Sequence, residues 1–407
     1  MKRLAPSAAD DALLEQCRER SVRLLRANLT PAGVLAASRG ARARRRGYCA
    51  IFGRDASLCA IGMAISGDAR LERGAAAGLA TLAAHQSPEG QIPNIVDARR
   101  ARSDFWYLGC IDATLWWLIA LAAIDRARPR AALRRRFAAP AQRALAWLRA
   151  QEHPRFRLLQ QNEASDWADI MPRSGYVLYS NALWHLVKLQ YGLDAEATRK
   201  AAARLLMPFT APRPRERRLR ILSEYAKRIA RDRGLYLSYV NYATCGDEGD
   251  AFGNALAVLC GLAPRTAARR IRAALERAGA ASPYALRVVC EPIAYRGRQW
   301  RPYMARHGQN FAWRYQNGGV WPFAGALWAA ALAESGDVAA ARAALAAAAR
   351  ANALGGWAFN EWLHGRSFAP GGMRGQSWNA AAFLIAHRAL REPAPLFRHP
   401  ARRQNGS

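Results

Sequence analysis

The sequence predicts an all-α fold, an (α/α)6 toroid in which six helical hairpins close into a ring as a single domain over residues 1–391. Apolar residues recur at spacings of three and four along about a dozen segments, as in amphipathic helices. Alternation typical of strands is almost absent, and residues 235–240 are the one exception. The helical segments come in consecutive pairs, joined by alternating short and long connections. This alternation favours a closed ring of hairpins.

The long connections are rich in Gly, Pro, Asp, Asn and Trp, and they cover residues 87–105, 158–175, 239–253, 290–319 and 355–375. Long loops inside a compact fold usually carry function. In a ring of hairpins all of them can lie at one end and line a single funnel. Residues 392–407, with their Pro, Arg and Gly, are predicted to be a disordered tail.

The chain of 407 residues carries a formal net charge of +31, from 61 Lys and Arg against 30 Asp and Glu. Such a charge is typical of proteins that bind nucleic acid or anionic surfaces. Lysine occurs only four times, however, and the arginines lie in short scattered runs without interleaved aromatic residues. We interpret the charge as the result of GC-rich coding, and we expect no specific nucleic-acid partner.

The seven cysteines form no CxxC pair and lie in apolar surroundings, which predicts buried thiols in a reducing cytoplasm. The N-terminal residues lack the apolar run of a signal peptide. No uncharged apolar stretch is long enough to span a membrane. We therefore expect a cytoplasmic protein without a membrane partner, and its oligomeric state stays open.

Two candidate binding segments begin predicted helices. Arg54 and Asp55 precede an apolar run, where the Asp could simply cap the helix. An adjacent Arg–Asp pair is also suited to holding neighbouring sugar hydroxyls, because it offers donors and acceptors side by side. Asp112, followed by Trp116, could likewise cap its helix or accept a hydrogen bond from a hydroxyl.

A second candidate segment places three carboxylates, Glu163, Asp166 and Asp169, around Trp167 in one long loop. Solvated acids are common in loops. The alternative is a general acid in an aromatic-walled pocket, since an apolar wall raises the pKa of a carboxyl group and keeps its proton available near neutrality.

The C-terminal half contributes two further clusters. Asn317 lies in an Asn-Gly-Gly turn before Trp321 and a proline, which is explicable as turn chemistry alone. Glu361, beside Trp362 and close to glycine-rich turns, is a candidate second carboxylate. The sequence contains no serine elbow, phosphate loop, dinucleotide-binding glycine motif or HExxH pair, so those chemistries are not expected.

Taken in order, these clusters resemble the motifs of a clan of (α/α)6-barrel glycoside hydrolases. The clan comprises glycogen-debranching glucosidase domains, processing α-glucosidase I, glucosylglycerate and mannosylglycerate hydrolases, and neutral invertases. The motifs extend over most of the chain: Gly53-Arg54-Asp55, Asp112-Ala113-Thr114-Leu115-Trp116, Asp166-Trp167-Ala168-Asp169, Pro172-Arg173, Asn181-Ala182-Leu183-Trp184, Phe252-Gly253-Asn254, Tyr315-Gln316-Asn317-Gly318-Gly319-Val320-Trp321-Pro322, Glu361-Trp362 and Gln376-Ser377-Trp378-Asn379-Ala380.

The resemblance implies an inverting glycoside hydrolase acting on an α-glucoside or a related small α-glycoside, with Asp169 as general acid and Glu361 as general base. It requires no metal and no cofactor. Asp166 is close enough in sequence to compete for the acid role. Twelve residues of these motifs are expected to bind the sugar: Arg54, Asp55, Asp112, Trp116, Asp166, Trp167, Arg173, Asn317, Trp321, Trp362, Gln376 and Trp378.

Two alternatives stay open at this point. One is a toroid that binds or epimerises sugars without hydrolysis, for which the histidines His185, His307 and His364 form no obvious pair. The other is a polyanion-binding protein driven by the net charge. The leaving group is equally open among sucrose, a glycosylglycerate and an α-1,6-glucan.

Overall fold

A computed structural model describes residues 8–106, 110–210, 212–392 and 394–397. The helices in these ranges are α1 (Ala8–Asn28), α2 (Ala41–Arg45), α3 (Gly53–Ala64), α4 (Ala69–Ala84), α5 (Ile111–Ala127), α6 (Leu133–Arg136), α7 (Ala138–Gln151), α8 (Leu178–Gln190), α9 (Ala195–Leu205), α10 (Arg217–Ile229), α11 (Ala251–Leu259), α12 (Arg265–Arg277), α13 (Pro322–Glu334), α14 (Val338–Trp357) and α15 (Ser377–Arg391). Short 3-10 turns occupy Pro129–Ala131 and Pro302–Gly308.

Six of these helices form a closed inner ring. In chain order they are α3, α5, α8, α11, α13 and α15. Each of these helices packs against the next one, and α15 packs back against α3. An outer helix follows each of the first five, namely α4, α7, α9, α12 and α14. Helix α1, from the other end of the chain, packs against α15 and completes the sixth pair. The predicted toroid of six hairpins is therefore confirmed.

The two layers differ in sequence because they differ in burial. Every residue from Ile111 to Ile124 of α5 is buried, and so is every residue from Pro322 to Leu332 of α13. Outer helices such as α9 bury only one stripe, as expected for an element with one face toward solvent. At Gly62 the helices α3 and α15 come so close that a Cβ would lie 2.6 Å from the carbonyl oxygen of Ala381.

Short strands tie the long loops together next to the inner helices. They are β1 (Leu29–Thr30), β2 (Gly33–Val34), β3 (Ile51–Phe52), β4 (Ile95–Asp97), β5 (Arg102–Asp104), β6 (Tyr176–Val177), β7 (Tyr239–Val240), β8 (Trp362–Leu363) and β9 (Pro370–Gly371). All pairings are antiparallel: β1 with β2, β3 with β4, β4 with β5, β6 with β7 and β8 with β9. Because β3 and β6 lead directly into α3 and α8, these pairings fix the entry to the inner helices.

The C-terminal segment departs from the predicted disorder. Leu396 and Phe397 are buried, and the Gln190 side chain donates a hydrogen bond of 3.0 Å to the Phe397 carbonyl oxygen. The prediction is wrong for residues 394–397, because their apolar side chains pack against the ring. Residues 393 and 398–407 of the predicted tail lie outside the described residues. No helix in the described part of the chain combines the length and apolarity needed to cross a membrane.

Candidate active site

The predicted polar residues converge at the N-terminal ends of inner helices. Arg54 and Asp55 lie in the first turn of α3, Asp112 in the first turn of α5, and Trp378 in the first turn of α15. Since these helices are neighbours in the ring, residues far apart in sequence become neighbours in space. The segments that precede the inner helices then cover this end of the toroid.

Arg54 lies at the centre of a group of buried polar side chains. Its Nη1 lies 3.2 Å from Asp112 Oδ2, and its Nε lies 3.4 Å from Asp55 Oδ2. Its guanidinium carbon lies 5.6 Å from the centre of the Trp378 ring. The Tyr179 hydroxyl donates a further hydrogen bond of 2.9 Å to Asp112 Oδ2. One guanidinium is thus held between two carboxylates and an aromatic face.

Both polar atoms of the Gln376 amide and Trp378 Nε1 are buried with no hydrogen-bond partner among the described residues, whereas Arg54 Nε and Asp55 Oδ2 have only each other, at 3.4 Å. Such groups are rare in proteins, because an unsatisfied buried donor or acceptor costs about 1–3 kcal/mol. The set contains both donors and acceptors, which is what a ring of hydroxyl groups requires. Burial raises the pKa of Asp55 to about 6, Arg54 opposes this increase, and the charge of Asp112 adds to it.

The loop before β6 places its acids in different environments. Asp166 is only 3% exposed, and both of its oxygens are engaged inside the loop. The Gln161 amide donates to Oδ2 at 2.9 Å, and the Ala168 backbone N–H donates to Oδ1 at 2.8 Å. Asp166 therefore holds the shape of the loop.

Asp169 is partly exposed, unlike Asp166. Gln316 Nε2 donates a hydrogen bond of 2.8 Å to Asp169 Oδ1, and no donor of the described residues reaches its Oδ2. Loss of hydration at this position raises the pKa of Asp169, while the Gln316 hydrogen bond and the charge of Arg54 lower it. Asp169 thus has one oxygen anchored and one oxygen available.

Glu361 precedes β8 and is 4% exposed. The Tyr48 hydroxyl donates to Oε1 at 2.7 Å, and the Met373 backbone N–H donates to Oε2 at 2.7 Å. Burial raises the pKa of Glu361 to about 7, and these two hydrogen bonds oppose the increase. The negative charges of Asp169 and Asp55 raise the pKa further, so both of these carboxylates lie within electrostatic range of Glu361.

Tyr48 was missed by the sequence analysis. It lies in the segment before α3, and its ring packs against Phe52 at 5.8 Å between centroids. Burial is the main cause of the raised pKa of Tyr48, and the negative charges of Glu361 and Asp169 raise this pKa further. The Tyr48 phenol therefore lies near both acids. Nothing in the sequence marks Tyr48 apart from its closeness to Arg54.

An aromatic cluster lies behind the site. The ring of Trp167 meets those of Phe252 and Trp321 edge to face, at 5.1 and 5.4 Å, and Trp378 stacks on Phe323 at 4.0 Å. Within this cluster Trp167 is fully buried, with its Nε1 unpartnered. Trp362, in β8, is partly exposed.

Four residues predicted to contact sugar lie behind the site, and their positions correct that prediction. The indole of Trp116 is buried and donates to the Tyr179 hydroxyl at 2.8 Å, so it supports Asp112 through Tyr179. Trp321 is also buried and donates to the Tyr315 carbonyl oxygen at 2.9 Å.

The other two are polar residues with internal partners. The Asn317 amide is fully engaged with the backbone of Ile293 and Asn310, so it shapes the turn. Arg173 is buried between Glu248 and Asp250, at 3.2 Å from a carboxylate oxygen of each. Both side chains stabilise the loops that carry the acids.

Known proteins resemble this chain in sequence and in structure. Residues 236–393, which include Glu361 and Gln376, match the family model of alkaline and neutral invertases. A probable alkaline/neutral invertase D of Arabidopsis thaliana is 28% identical over 165 residues, which is 40% of this chain and 31% of that protein. The chain thus spans about a third of the length of this relative.

The solved structures cover more of the chain. A mannosylglycerate hydrolase of family GH63 from Thermus thermophilus, in complex with Tris and D-glycerate, covers 91% of this chain and 99% of its own, with a TM-score of 0.60 and 18% identity. Its complex with glucose gives a TM-score of 0.62 at 17% identity, with the same coverage of both chains. A glycosidase variant in complex with glucose covers 95% of this chain and 99% of its own, with a TM-score of 0.60 and 18% identity.

These comparisons confirm the resemblance to six-hairpin glycosidases that the motif series indicated. At such low identity the solved structures establish the fold, an (α/α)6 toroid over nearly the whole chain. The sequence match adds the C-terminal segment, in which Glu361, Trp362 and Trp378 lie.

Proposed function

We propose that this protein is a glycoside hydrolase that cleaves a small α-glycoside with inversion, using Asp169 as general acid and Glu361 as general base. One observation carries the proposal. Two carboxyl groups with raised pKa lie within electrostatic range of each other at the ring end that also holds the buried group of Arg54, Asp55 and Asp112. Two carboxyl groups beside a polyhydroxyl site are the apparatus that glycosidic cleavage requires.

The hydrogen bonds support this division of roles. Both oxygens of Glu361 accept hydrogen bonds, which favours the ionised form that a base needs. Only one oxygen of Asp169 is engaged, so the other can carry a proton toward the leaving group. The Coulomb interaction between the acids favours a state in which the pair holds one proton. In the reactive state that proton is on Asp169.

The reaction then proceeds by one displacement. Asp169 gives its proton to the glycosidic oxygen as the bond to the anomeric carbon breaks. A water molecule on the opposite face of the sugar attacks that carbon and gives its proton to Glu361. This geometry requires about 6.5–9.5 Å between the two carboxyl groups, which leaves room for the water.

The buried polar group around Arg54 is suited to hold the sugar whose bond is broken. Arg54, Asp55 and Gln376 offer donors and acceptors, and Trp378 Nε1 offers a further donor. The relatives' names add invertase and mannosylglycerate hydrolase activities as candidates for the substrate class.

The test is a panel of sucrose, glucosylglycerate, mannosylglycerate and an α-1,6-linked glucose oligosaccharide, followed by proton NMR. We expect release of sugar from at least one of them, with the β-anomer appearing first. A folded protein that cleaves none of these would contradict the proposal. First appearance of the α-anomer would contradict inversion.

Variants of the acids test the assigned roles. Asp169→Asn and Glu361→Gln should each lower kcat by about 10²–10⁴-fold, the usual contribution of general acid–base catalysis. Asp166→Asn is the matched control, because asparagine can still accept the Ala168 N–H. Greater loss in Asp166→Asn than in Asp169→Asn would transfer the acid role to Asp166.

A further inference from the structure

We infer that Gln316 is a positioning residue that fixes the orientation of the Asp169 carboxyl group and thereby determines which of its two oxygens delivers the proton. The inference rests on the proposed function, in which Asp169 is the general acid. Gln316 belongs to the loop of residues 290–319, whereas Asp169 belongs to the loop of residues 158–175. The contact therefore joins two separate hairpins of the ring.

The orientation of the Gln316 amide follows from its neighbours. Its Nε2 lies 2.7 Å from the Trp167 carbonyl oxygen and 2.8 Å from Asp169 Oδ1, and its Oε1 lies 3.4 Å from the Ile170 backbone nitrogen. A carbonyl oxygen only accepts hydrogen bonds, so the NH2 group must face Trp167 and Asp169. Both of its hydrogens are used, one on each acceptor. The side chain is 2% exposed, so water does not compete for them.

The acid is also held from its other side by the same loop. Asn310 Nδ2 donates a hydrogen bond of 2.7 Å to the Ile170 carbonyl oxygen. Asn310 Oδ1 accepts from the Gln316 backbone N–H at 3.0 Å. Gln316 and Asn310 are therefore linked to each other, and together they bind the residues that flank Asp169. The backbone at the acid is fixed before any substrate binds.

This arrangement distinguishes the two oxygens of Asp169. A neutral carboxyl group has one carbonyl oxygen and one hydroxyl oxygen, and an N–H donor binds the carbonyl oxygen. Because Gln316 donates to Oδ1, the proton resides on Oδ2, the oxygen that no donor of the described chain engages. When this proton passes to the glycosidic oxygen, the electron pair of the breaking bond stays on the leaving group. Asp169 becomes a carboxylate whose new charge the Gln316 N–H stabilises.

The leaving group provides a test that separates positioning from general damage. A methoxide leaving group needs full protonation, whereas fluoride departs with little help from an acid. Gln316→Met removes the amide at similar length. We expect kcat/KM to fall by about 10²-fold for methyl α-D-glucopyranoside, since a misplaced acid forfeits much of its catalytic contribution. For α-D-glucopyranosyl fluoride the loss should stay within a few-fold.

Gln299→Met is the matched control, because Gln299 is buried in the same loop and donates to the Cys245 carbonyl oxygen at 3.1 Å, away from Asp169. This variant should change both substrates alike and only slightly. Gln316→Glu is the second variant. It keeps the shape and the oxygen that faces Ile170 but loses both N–H donors, and it should show the same selective loss.

Each outcome has a distinct meaning. Equal losses on both substrates in Gln316→Met and Gln316→Glu would overturn the inference, and so would retention of full activity on the methyl glycoside. Circular dichroism and thermal unfolding show whether each variant is folded. If the unsubstituted protein cleaves neither these two substrates nor the panel above, the proposed function itself fails.

Discussion

The hydrogen bond between Tyr48 and Glu361 leads to a quantitative prediction. Tyr48→Phe deletes one oxygen, which donates to Glu361 Oε1 at 2.7 Å, and retains the ring that packs on Phe52. A hydrogen bond to an ionised carboxylate stabilises its charged form. Its removal should raise the pKa of Glu361 above the value of about 7 that burial gives it in the unsubstituted protein.

The size of the shift follows from the strength of that bond. A hydrogen bond to a charged group contributes about 1.5–3 kcal/mol, and one pKa unit corresponds to about 1.4 kcal/mol. The upper limit is therefore about two units. Glu361 keeps its bond to the Met373 N–H, which continues to stabilise its charged form. We expect the lower end, an increase of about one unit.

The assay is the pH dependence of kcat/KM on whichever glycoside the protein cleaves. A base must be ionised to accept a proton, so a higher pKa of Glu361 moves the acidic limb to higher pH. At pH values below the pKa of Glu361 in both the variant and the unsubstituted protein, a shift of about one unit lowers kcat/KM about tenfold. At pH values above the pKa of Glu361 in both proteins, the shift leaves kcat/KM unchanged.

Tyr303→Phe is the matched control, since its hydroxyl donates to Glu163 Oε2 at 2.8 Å, which is the same kind of bond on a different carboxylate. Its profile should coincide with that of the unsubstituted protein. An acidic limb that stays in place in Tyr48→Phe, or that moves to lower pH, would refute Glu361 as the base or Tyr48 as its partner.

Two further substitutions test the surroundings of the acids. Gly372→Ala should lose most activity, because φ is +73° there and a Cβ would lie 2.2 Å from Glu361 Oε2. Gly356→Ala is the control: φ is +75° there, and nothing lies within 4 Å of the position of its Cβ. This variant should suffer the same backbone strain and keep its activity. Equal activities of the two variants would contradict this. Arg173→Met should lower the free energy of unfolding in urea by about 3–5 kcal/mol, because Glu248 loses its buried ion pair. An unchanged free energy of unfolding would show that the Arg173–Glu248 pair contributes little to stability.

The architecture could be predicted because it depends on features that repeat along the chain. Helical periodicity and alternating loop lengths recur along the whole chain, so an error at one helix boundary does not alter the predicted fold. The partner of α1 could not be predicted in this way. Its contact with α15 joins the two ends of the chain, and only closure of the ring brings them together.

The candidate site could be predicted in part, and the errors have one physical cause. The loops that carry Arg54, Asp169 and Glu361 do reach one end of the ring. A motif locates a backbone segment, however, and not the direction of each side chain. Trp116 and Trp321 belong to such segments, yet packing between neighbouring helices turns both indoles into the core.

The choice between Asp166 and Asp169 shows why sequence alone leaves the acid open. The two residues lie three positions apart on either side of Trp167, and each is an aspartate in a loop beside aromatic rings. They differ in their hydrogen bonds. Both oxygens of Asp166 accept hydrogen bonds from donors of its own loop. Asp169 accepts one hydrogen bond, from Gln316, which lies 147 positions further along the chain. A general acid needs an oxygen that the protein leaves unengaged, and only the folded chain reveals which aspartate has one.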